Sequence, residues 1–317
     1  MTEAGRSYTL ENELLKLTLN SLGAQLCSVT SADRDYLWNG DSKYWGWHSP
    51  ILFPFVGRLK NDEYIYEGKK YPMTQHGFAR EMLFALEKAS PVNKYISEDF
   101  QASLEGISGK EQINHEIWFS LSWNEETLIR YPFHFVLHIG YRLEGNTVTV
   151  MWRVENRGND KDMYFAIGGH PGFFCPLNEG EDPLQYLLEF DRQEIEYYSL
   201  NEKGLFLKES HSLPLTDGRY TLKENTFDQD ALVIEPHKVR RISLCTPDKK
   251  PYVTMEFNSP SVGIYSQEKM RAPYLCIEPW YGRCDNADFN GELKDREHIQ
   301  CLKAGEEFRA AYKMRFY

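Results

Sequence analysis

Short stretches with the residue preferences of β-strands recur along almost the whole chain, and turn-forming residues separate them. Residues 147–154 (Thr-Val-Thr-Val-Met-Trp-Arg-Val) are rich in β-branched and aromatic side chains, and the preceding Gly145-Asn146 pair predicts a hairpin turn. Residues 133–139 place an aromatic or aliphatic side chain at every second position, which is the period of a strand. Residues 64–71 predict another hairpin, turning at Glu67-Gly68. Helical spacing of apolar residues never extends beyond about two turns.

The strand signals continue without a linker-like break, an internal repeat or a low-complexity segment. The chain has 317 residues, of which 41% are hydrophobic and 14% aromatic, so a sizeable core is available. Many strands joined by short turns predict an all-β fold in which two antiparallel sheets pack face to face. We therefore expect residues 1–317 to form one large antiparallel β-sandwich domain.

The net charge and the cysteines indicate which classes of binding partner are excluded and which cellular compartment is expected. The net charge is −11, so the surface repels nucleic-acid phosphates and anionic lipids, and we expect neither a nucleic-acid nor a membrane partner. No run of about 20 apolar residues predicts a membrane span, and the N-terminal residues lack the apolar segment of a signal peptide. The six cysteines stand singly, which favours a reducing compartment. We expect a cytoplasmic protein whose oligomeric state the sequence leaves open.

Two motifs concentrate residues suited to proton transfer. Residues 167–173 (Ile-Gly-Gly-His-Pro-Gly-Phe) surround His170 with glycines, and Pro171 favours extended backbone at that histidine. A core histidine needs no such space, so the pattern favours a functional imidazole. Residues 275–282 (Leu-Cys-Ile-Glu-Pro-Trp-Tyr-Gly) predict a buried strand that ends in Glu278 beside Trp280. A partly desolvated carboxylate is a stronger base. A salt-bridged glutamate is the alternative, and the presence of His170 favours the catalytic role.

Three further positions are candidate ligands for a small molecule, each with an ordinary structural alternative. Arg58 follows a glycine in a loop and can donate to hydroxyls or carboxylates, or pair with an acidic neighbour. His76 precedes Gly77, which permits close backbone approach, although a hydrogen-bonded structural histidine fits equally well. Asp228 and Asp230 precede an apolar strand, where one can face a site or form an Asx-turn.

Several other functions lack their sequence signals. The chain contains no G-x-S-x-G motif of serine hydrolases, no Walker A motif, no G-x-G-x-x-G motif and no H-E-x-x-H motif. His134 and His138 have the spacing of metal ligands, but they lie in a predicted strand with no glutamate between them. We therefore expect no metal and no cofactor.

Five motifs, in this order along the chain, together resemble the aldose 1-epimerase (galactose mutarotase-like) superfamily. They are Gly57-Arg58, residues 76–80 (His-Gly-Phe-Ala-Arg), residues 169–173 (Gly-His-Pro-Gly-Phe), residues 230–232 (Asp-Ala-Leu) and residues 278–280 (Glu-Pro-Trp). The Phe-Pro-x-Val-Gly-Arg-Leu-Lys and Gln-His-Gly-Phe-Ala-Arg segments look like those of the LacX-type branch. The resemblance implies a supersandwich that binds sugar on a concave sheet face.

The resemblance also assigns roles to individual residues. His170 would be the general acid and Glu278 the general base of ring opening and closure. Arg58, His76 and Asp230 would bind sugar hydroxyls, with Asp228 as the competing aspartate. Unperturbed pKa values of about 4.3 for glutamate and about 6.5 for histidine then predict a bell-shaped pH profile between them. A neighbouring carboxylate would raise the histidine pKa and extend activity towards neutral pH.

The substrate and two alternative functions stay open at this point. Galactose mutarotases proper continue the His76 motif with glycines and follow the aspartate with His-Cys or His-Asn, whereas Ala231-Leu232 stands here. Hexose-6-phosphate mutarotases also carry His-Gly-Phe-Ala-Arg, which makes Arg58, Arg80 and Lys60 candidate phosphate ligands. A non-catalytic sugar-binding protein is the other alternative, and the presence of both catalytic groups favours an enzyme over it.

Overall fold

Antiparallel strands form nearly all of the regular structure in the computed structural model of the protein, which describes residues 5–32, 34–87, 115–235, 239–267, 269 and 272–317. Within these ranges there is one short α-helix, α1 (Glu125–Arg130), which Asn124 caps by accepting a hydrogen bond from the Thr127 backbone. The prediction of an all-β antiparallel fold is therefore confirmed.

The strands are short and are distributed over the whole described chain. In chain order they are β1 (Ser7–Glu11), β2 (Lys16–Asn20), β3 (Gln25–Ser31), β4 (Arg34–Asp35), β5 (Ile51–Leu52), β6 (Glu63–Tyr66), β7 (Lys69–Pro72), β8 (Ala85–Leu86), β9 (His115–Ser122), β10 (Phe135–Glu144), β11 (Thr147–Asn156), β12 (Met163–Phe165), β13 (Ile167–Gly169), β14 (Gly172–Phe174), β15 (Leu187–Phe190), β16 (Ile195–Leu200), β17 (Phe206–Leu213), β18 (Arg219–Thr221), β19 (Leu232–Ile234), β20 (Arg241–Cys245), β21 (Pro251–Phe257), β22 (Ser261–Tyr265), β23 (Tyr274–Tyr281), β24 (Gln300–Leu302) and β25 (Glu307–Phe316). Short 3₁₀ turns lie at Lys60–Asp62, Ala79–Glu81, Pro183–Gln185 and Leu293–Asp295.

Two large sheets contain most of these strands. The nine-stranded sheet has the order β18-β15-β20-β21-β25-β11-β10-β9-β8. The eight-stranded sheet has the order β17-β16-β19-β22-β23-β13-β5, and β14 pairs with β23 beside this path. Smaller sheets are β1-β2-β3-β4, β6-β7 and β12-β24.

The two hairpins that the turn residues predict are both present. Strands β10 and β11 pair over their whole length, from Phe135 opposite Asn156 to Glu144 opposite Thr147. Strands β6 and β7 turn at Glu67-Gly68, and both of these residues adopt the positive φ that a tight two-residue turn requires.

The main apolar core lies between the two large sheets. Alternate side chains of β10, including Leu137 and Ile139, are fully buried in one cluster with Ile277 of β23. The ring of Trp152 in β11 lies 6.3 Å from the ring of Tyr281 in β23, so the sheets contact each other directly. Since successive side chains of a strand point to opposite faces, every second side chain of β23 points away from this core.

Among the described helices, none has both the length and the apolar character needed to cross a bilayer. That residues 1–317 form one domain stays a prediction.

Candidate active site

A groove of about 1670 Å³ lies on the face of the eight-stranded sheet opposite the main core. All five predicted site residues line it: Arg58, His76, His170, Asp230 and Glu278. They come from four separate loops and one strand, which the sheet brings to one place. Asp228, the alternative aspartate, lines the same groove.

Strand β23 positions Glu278 and, through its pairing, His170. Glu278 lies on the groove face of β23, while its neighbour Ile277 points into the main core. Strands β13 and β14 both pair with β23, and His170 lies in the gap between them. The imidazole Nε2 lies 3.3 Å from Glu278 Oε1. The register pairs on either side of the gap are Gly168 with Trp280 and Gly172 with Cys276.

Burial determines the charge of this pair. His170 is 8% exposed and Glu278 is 2% exposed. Burial lowers the pKa of His170 to about 3, because it disfavours the imidazolium. Burial also raises the pKa of Glu278 well above its usual range, and the nearby charge of Asp230 adds to this rise. The expectation that the carboxylate raises the His170 pKa is therefore wrong, because burial lowers that pKa. Both shifts favour the uncharged pair, in which a neutral imidazole lies beside a protonated carboxyl group.

Each member of the pair also has a polar atom that is unsatisfied. The Nδ1 atom of His170 and the Oε2 atom of Glu278 are buried and have no hydrogen-bond partner within the described part of the chain. An unsatisfied buried polar atom costs about 1–3 kcal/mol. A bound hydroxyl group that reached these atoms would remove that cost, so the unliganded arrangement favours binding of a polar ligand.

An aromatic stack covers the imidazole of His170. The ring of Trp45 lies 4.7 Å from the imidazole at an interplanar angle of 30°. The ring of Tyr274 stacks on the same indole at 5.4 Å. A Cβ atom at Gly172 would lie 3.0 Å from the Trp45 ring, and one at Gly168 would also meet an aromatic ring. The glycines near His170 thus make room for aromatic neighbours rather than for the imidazole itself.

His76 is held as a neutral hydrogen-bond donor. Its Nδ1 accepts the backbone N–H of Gly57 at 3.1 Å, which leaves the proton on Nε2. Burial lowers the pKa of His76 well below its usual value, so the imidazole stays uncharged. Its ring lies 5.5 Å from that of His170. A Cβ at Gly77 would lie 2.3 Å from the Phe53 carbonyl oxygen, so this glycine serves close approach of two backbone segments rather than of a ligand.

Arg58 pairs with neighbouring residues, as the structural alternative predicts, and it also lines the groove, as a ligand-binding role requires. Its guanidinium donates to Asp62 Oδ1 at 3.2 Å and to Gln75 Oε1 at 3.1 Å. The side chain is 40% exposed and lines the groove. Two neighbours therefore fix the guanidinium in place while part of it faces the groove, which is an arrangement that preorganises a donor for a ligand oxygen.

Asp230 and Asp228 are the two candidate aspartates for sugar binding. Asp230 adopts a positive φ of 65°, and its Oδ1 accepts the backbone N–H of Ala231 at 2.7 Å. Its charge raises the pKa of Glu278, so it lies within electrostatic reach of the acid–base pair. Asp228 lines the same groove. The choice of Asp230 over Asp228 as the sugar ligand stays a prediction.

Two groove residues were not among the predicted site residues. Trp45 stacks on His170, and its only sequence signal is the aromatic density of residues 44–47. Arg80 stacks on the ring of Trp47 at 5.0 Å, and its buried Nε has no hydrogen-bond partner within the described residues. The motif of residues 76–80 predicts Arg80 only as a candidate ligand of a sugar phosphate.

One group of described residues offers three atoms of the kinds that bind metals. Atoms of His170, Cys276 and Glu278 all lie within 4.8 Å of one another. Burial raises the pKa of the Cys276 thiol well above its usual value, and the charge of Glu278 raises it further. The His170 and Glu278 atoms of this group already contact each other, and we assign no metal to it.

Known proteins resemble this chain over nearly its whole length. The family model for aldose 1-epimerase matches residues 6–299. The plasmid-encoded protein LacX of Lactococcus lactis subsp. lactis is 29% identical over 307 residues, which cover 92% of each chain.

Solved structures give the same result. A galactose mutarotase related enzyme from Lactobacillus acidophilus is 34% identical, with a TM-score of 0.85 over 98% of this chain and 97% of the other. A galactose mutarotase-like protein from Lactobacillus casei is 26% identical, with a TM-score of 0.85 over 98% and 100% of the two chains. With a family model spanning residues 6–299 and relatives matched almost end to end, the chain belongs to the aldose 1-epimerase family.

Proposed function

We propose that the protein is a mutarotase that interconverts the α and β anomers of an unphosphorylated aldose. The observation that carries this proposal is the contact of 3.3 Å between His170 Nε2 and Glu278 Oε1 at the groove wall. The C1 hydroxyl and the ring oxygen of an aldose are bonded to the same carbon. An acid and a base in contact with each other can therefore reach both oxygens at once.

One proton shared by the pair is enough for both ring opening and ring closure. The proton first moves from the carboxyl group to the imidazole across the contact of 3.3 Å. In ring opening, Glu278 then removes the proton from the C1 hydroxyl while His170 donates one to the ring oxygen, and the C1–O5 bond breaks. The pair is then neutral, with the proton on the carboxyl group. After the C1–C2 bond rotates, closure reverses both transfers on the other face of the aldehyde. Burial stabilises this neutral form, so it favours the arrangement in which the open-chain sugar is bound.

The remaining groove residues suit the hydroxyls of a neutral sugar. His76 offers an Nε2–H donor, and Arg58 offers guanidinium donors that its neighbours hold in place. Asp230 offers a carboxylate acceptor. We assign these three residues to sugar binding. The groups need no cofactor to open and close the ring.

A phosphorylated hexose is the second candidate substrate, and the observation that favours it is the buried Arg80 Nε, which makes no hydrogen bond among the described residues and lies 3.8 Å from Glu81 Oε1. The other two candidate cations support it less. Arg58 is paired with Asp62, and the Lys60 amine donates to the Phe289 carbonyl at 2.9 Å and to Asn290. A neutral aldose is therefore the better substrate for this groove.

The cysteines, which form no disulfide in the described residues, fit a reducing compartment such as the cytoplasm.

Anomer exchange measured by NMR or polarimetry tests the proposal. Freshly dissolved α-glucose, α-galactose, α-xylose and glucose 6-phosphate are followed with and without the protein. We expect acceleration of at least one unphosphorylated aldose above its spontaneous rate, and loss of this acceleration in Glu278→Gln. Faster exchange of glucose 6-phosphate than of glucose would support the second candidate. Calorimetric sugar binding without any acceleration would replace the enzyme by a sugar-binding protein.

A further inference from the structure

A buried ion pair lies behind the groove wall, between Asp285 and Arg296. Arg296 Nη1 lies 2.5 Å from Asp285 Oδ1, and the two side chains are 4% and 3% exposed. The guanidinium lies over the ring of Phe55 at 5.1 Å. Neither charged side chain is among the residues that line the groove. Buried ion pairs contribute little net stability, because desolvation offsets their attraction, so a specific role has to come from their other contacts.

Asp285 contacts the backbone of Arg58 itself and of Lys60, two residues further along the chain. Its second carboxylate oxygen, Oδ2, accepts the backbone N–H of Lys60 at 2.8 Å. Its own backbone N–H donates to the Arg58 carbonyl at 3.1 Å. A Cβ at Gly57 would lie 2.6 Å from the Cβ of Cys284, so the two segments are in direct contact. Asp285 therefore fixes the backbone from which the Arg58 side chain extends.

Asp285 also holds the segment that faces Arg58. Its carbonyl accepts the backbone N–H of Phe206 at 2.8 Å, and the Phe206 carbonyl accepts the N–H of Ala287 at 3.0 Å. Phe206 begins β17, just after the turn that contains Gly204. A Cβ at Gly204 would lie 3.6 Å from Arg58 Nε, so this turn packs against the arginine side chain. One buried residue thus connects two walls of the groove.

We propose that Asp285, held in place by Arg296, is a positioning residue that fixes Arg58 and sets the affinity of the groove for sugar. This inference rests on the proposed function, in which Arg58 donates to sugar hydroxyls. Arg296 fixes one carboxylate oxygen, which leaves the other aimed at the Lys60 N–H. Loss of the charge on Asp285 would remove its attraction to Arg296 and loosen its side-chain bond to the Lys60 N–H, whereas its backbone bonds to Arg58 and Phe206 would remain. The effect should fall on binding rather than on proton transfer, because the acid–base pair has no contact with Asp285.

Steady-state exchange kinetics and sugar calorimetry of Asp285→Asn test this inference. We expect KM and Kd to rise about 10-fold with kcat changed less than about 3-fold, which is the pattern of lost uniform binding. In the Arg58→Ala background, Asp285→Asn should change KM by less than about 2-fold, because its effect acts through Arg58. Arg296→Lys keeps the charge but loses the planar fork, and we expect a rise of about 3-fold.

A second buried acid provides the matched control. Glu116 is 5% exposed and pairs with Arg142 at 2.5 Å in the nine-stranded sheet, away from the groove. Glu116→Gln should lower the Tm while KM and Kd stay unchanged. The inference is overturned if Asp285→Asn and Arg296→Lys lower only the Tm, as Glu116→Gln does, or if their effects on KM persist in full without the Arg58 side chain. A wild-type protein that neither binds nor converts any aldose would instead overturn the proposed function.

Discussion

His170 and Glu278 lie opposite each other in one antiparallel register, although His170 lies between two strands and belongs to neither. Gly168 pairs with Trp280 before the gap between β13 and β14, and Gly172 pairs with Cys276 after it. Counting inwards from both ladders places the histidine opposite the glutamate. Side chains at opposing positions on one sheet face lie close together, which explains the contact of 3.3 Å.

This relationship predicts a large kinetic effect of Glu278→Gln. The amide keeps the shape of the carboxylate but cannot accept the proton of the C1 hydroxyl. We expect kcat to fall by about 10²–10⁴-fold with little change in sugar affinity. NMR exchange and calorimetry measure the two quantities, with Glu116→Gln as the control for loss of a buried carboxylate. Turnover within a few-fold of wild type would show that another carboxylate is the base, and Asp230 would be the next to test.

The burial of the pair predicts a broad pH profile. The active pair carries one proton. It gains a second only when the pH falls below the His170 pKa of about 3, and it loses the first only above the raised pKa of Glu278. We therefore expect kcat/KM, corrected for the spontaneous rate, to be nearly constant from about pH 5 up to the raised pKa of Glu278. A narrow maximum between about pH 4.3 and 6.5 would mean that both groups titrate as they do in water.

The strands, their hairpins and the presence of His170 and Glu278 in one groove could be predicted because each depends on residues that are close in sequence. The Gly145-Asn146 turn and the apolar alternation around Leu137 are local signals. His170 and Glu278 are each followed by a proline, which restricts the backbone of the residue before it.

The charge of the pair and its aromatic cover could not be predicted, because they depend on contacts between distant segments. Trp45 reaches His170 from more than 100 residues away in the chain, and no feature of its own segment indicates this contact. The burial that lowers the His170 pKa results from such packing. The role of Asp285 likewise depends on backbone contacts with Arg58 and Phe206 that no sequence pattern encodes.

The raised pKa of Glu278 also predicts a change in stability on mutation to glutamine. Between the unfolded pKa of about 4.3 and the raised folded value, the folded protein keeps a proton that the unfolded chain releases. The free energy of unfolding of the wild type therefore falls as the pH rises through this window, by at most about 1.4 kcal/mol per pH unit. Glutamine has no such proton. We expect Glu278→Gln to have the higher Tm at pH 8 and a similar Tm at pH 4. Denaturation scans at both values measure this, and equal Tm differences would contradict it.

Trp45 should control the protonation of His170. Replacing the indole with leucine exposes the imidazole to water, which removes part of the desolvation that lowers its pKa. The His170 pKa in Trp45→Leu should rise towards its ordinary value of about 6.5, so activity should begin to fall at a higher pH on the acid side. Trp45→Phe keeps an aromatic ring over the imidazole and should behave like the wild type. NMR titration of the His170 ring protons measures the shift, and an unchanged titration in the leucine variant would refute this role.

Asp230 and Asp228 can be separated by a pair of matched substitutions. The charge of Asp230 raises the pKa of Glu278. We expect Asp230→Asn to raise KM by about 10-fold, as loss of a hydrogen bond to a charged group does. The same substitution should lower the pKa of Glu278, since it removes a negative charge that opposes ionisation. The alkaline limit of kcat/KM should then move to lower pH. Asp228→Asn should change KM by less than about 2-fold. It should shift the alkaline limit of kcat/KM by less than about 0.2 pH units. If Asp228→Asn has the larger effect on KM, Asp228 is the sugar ligand and the assignment of Asp230 is wrong.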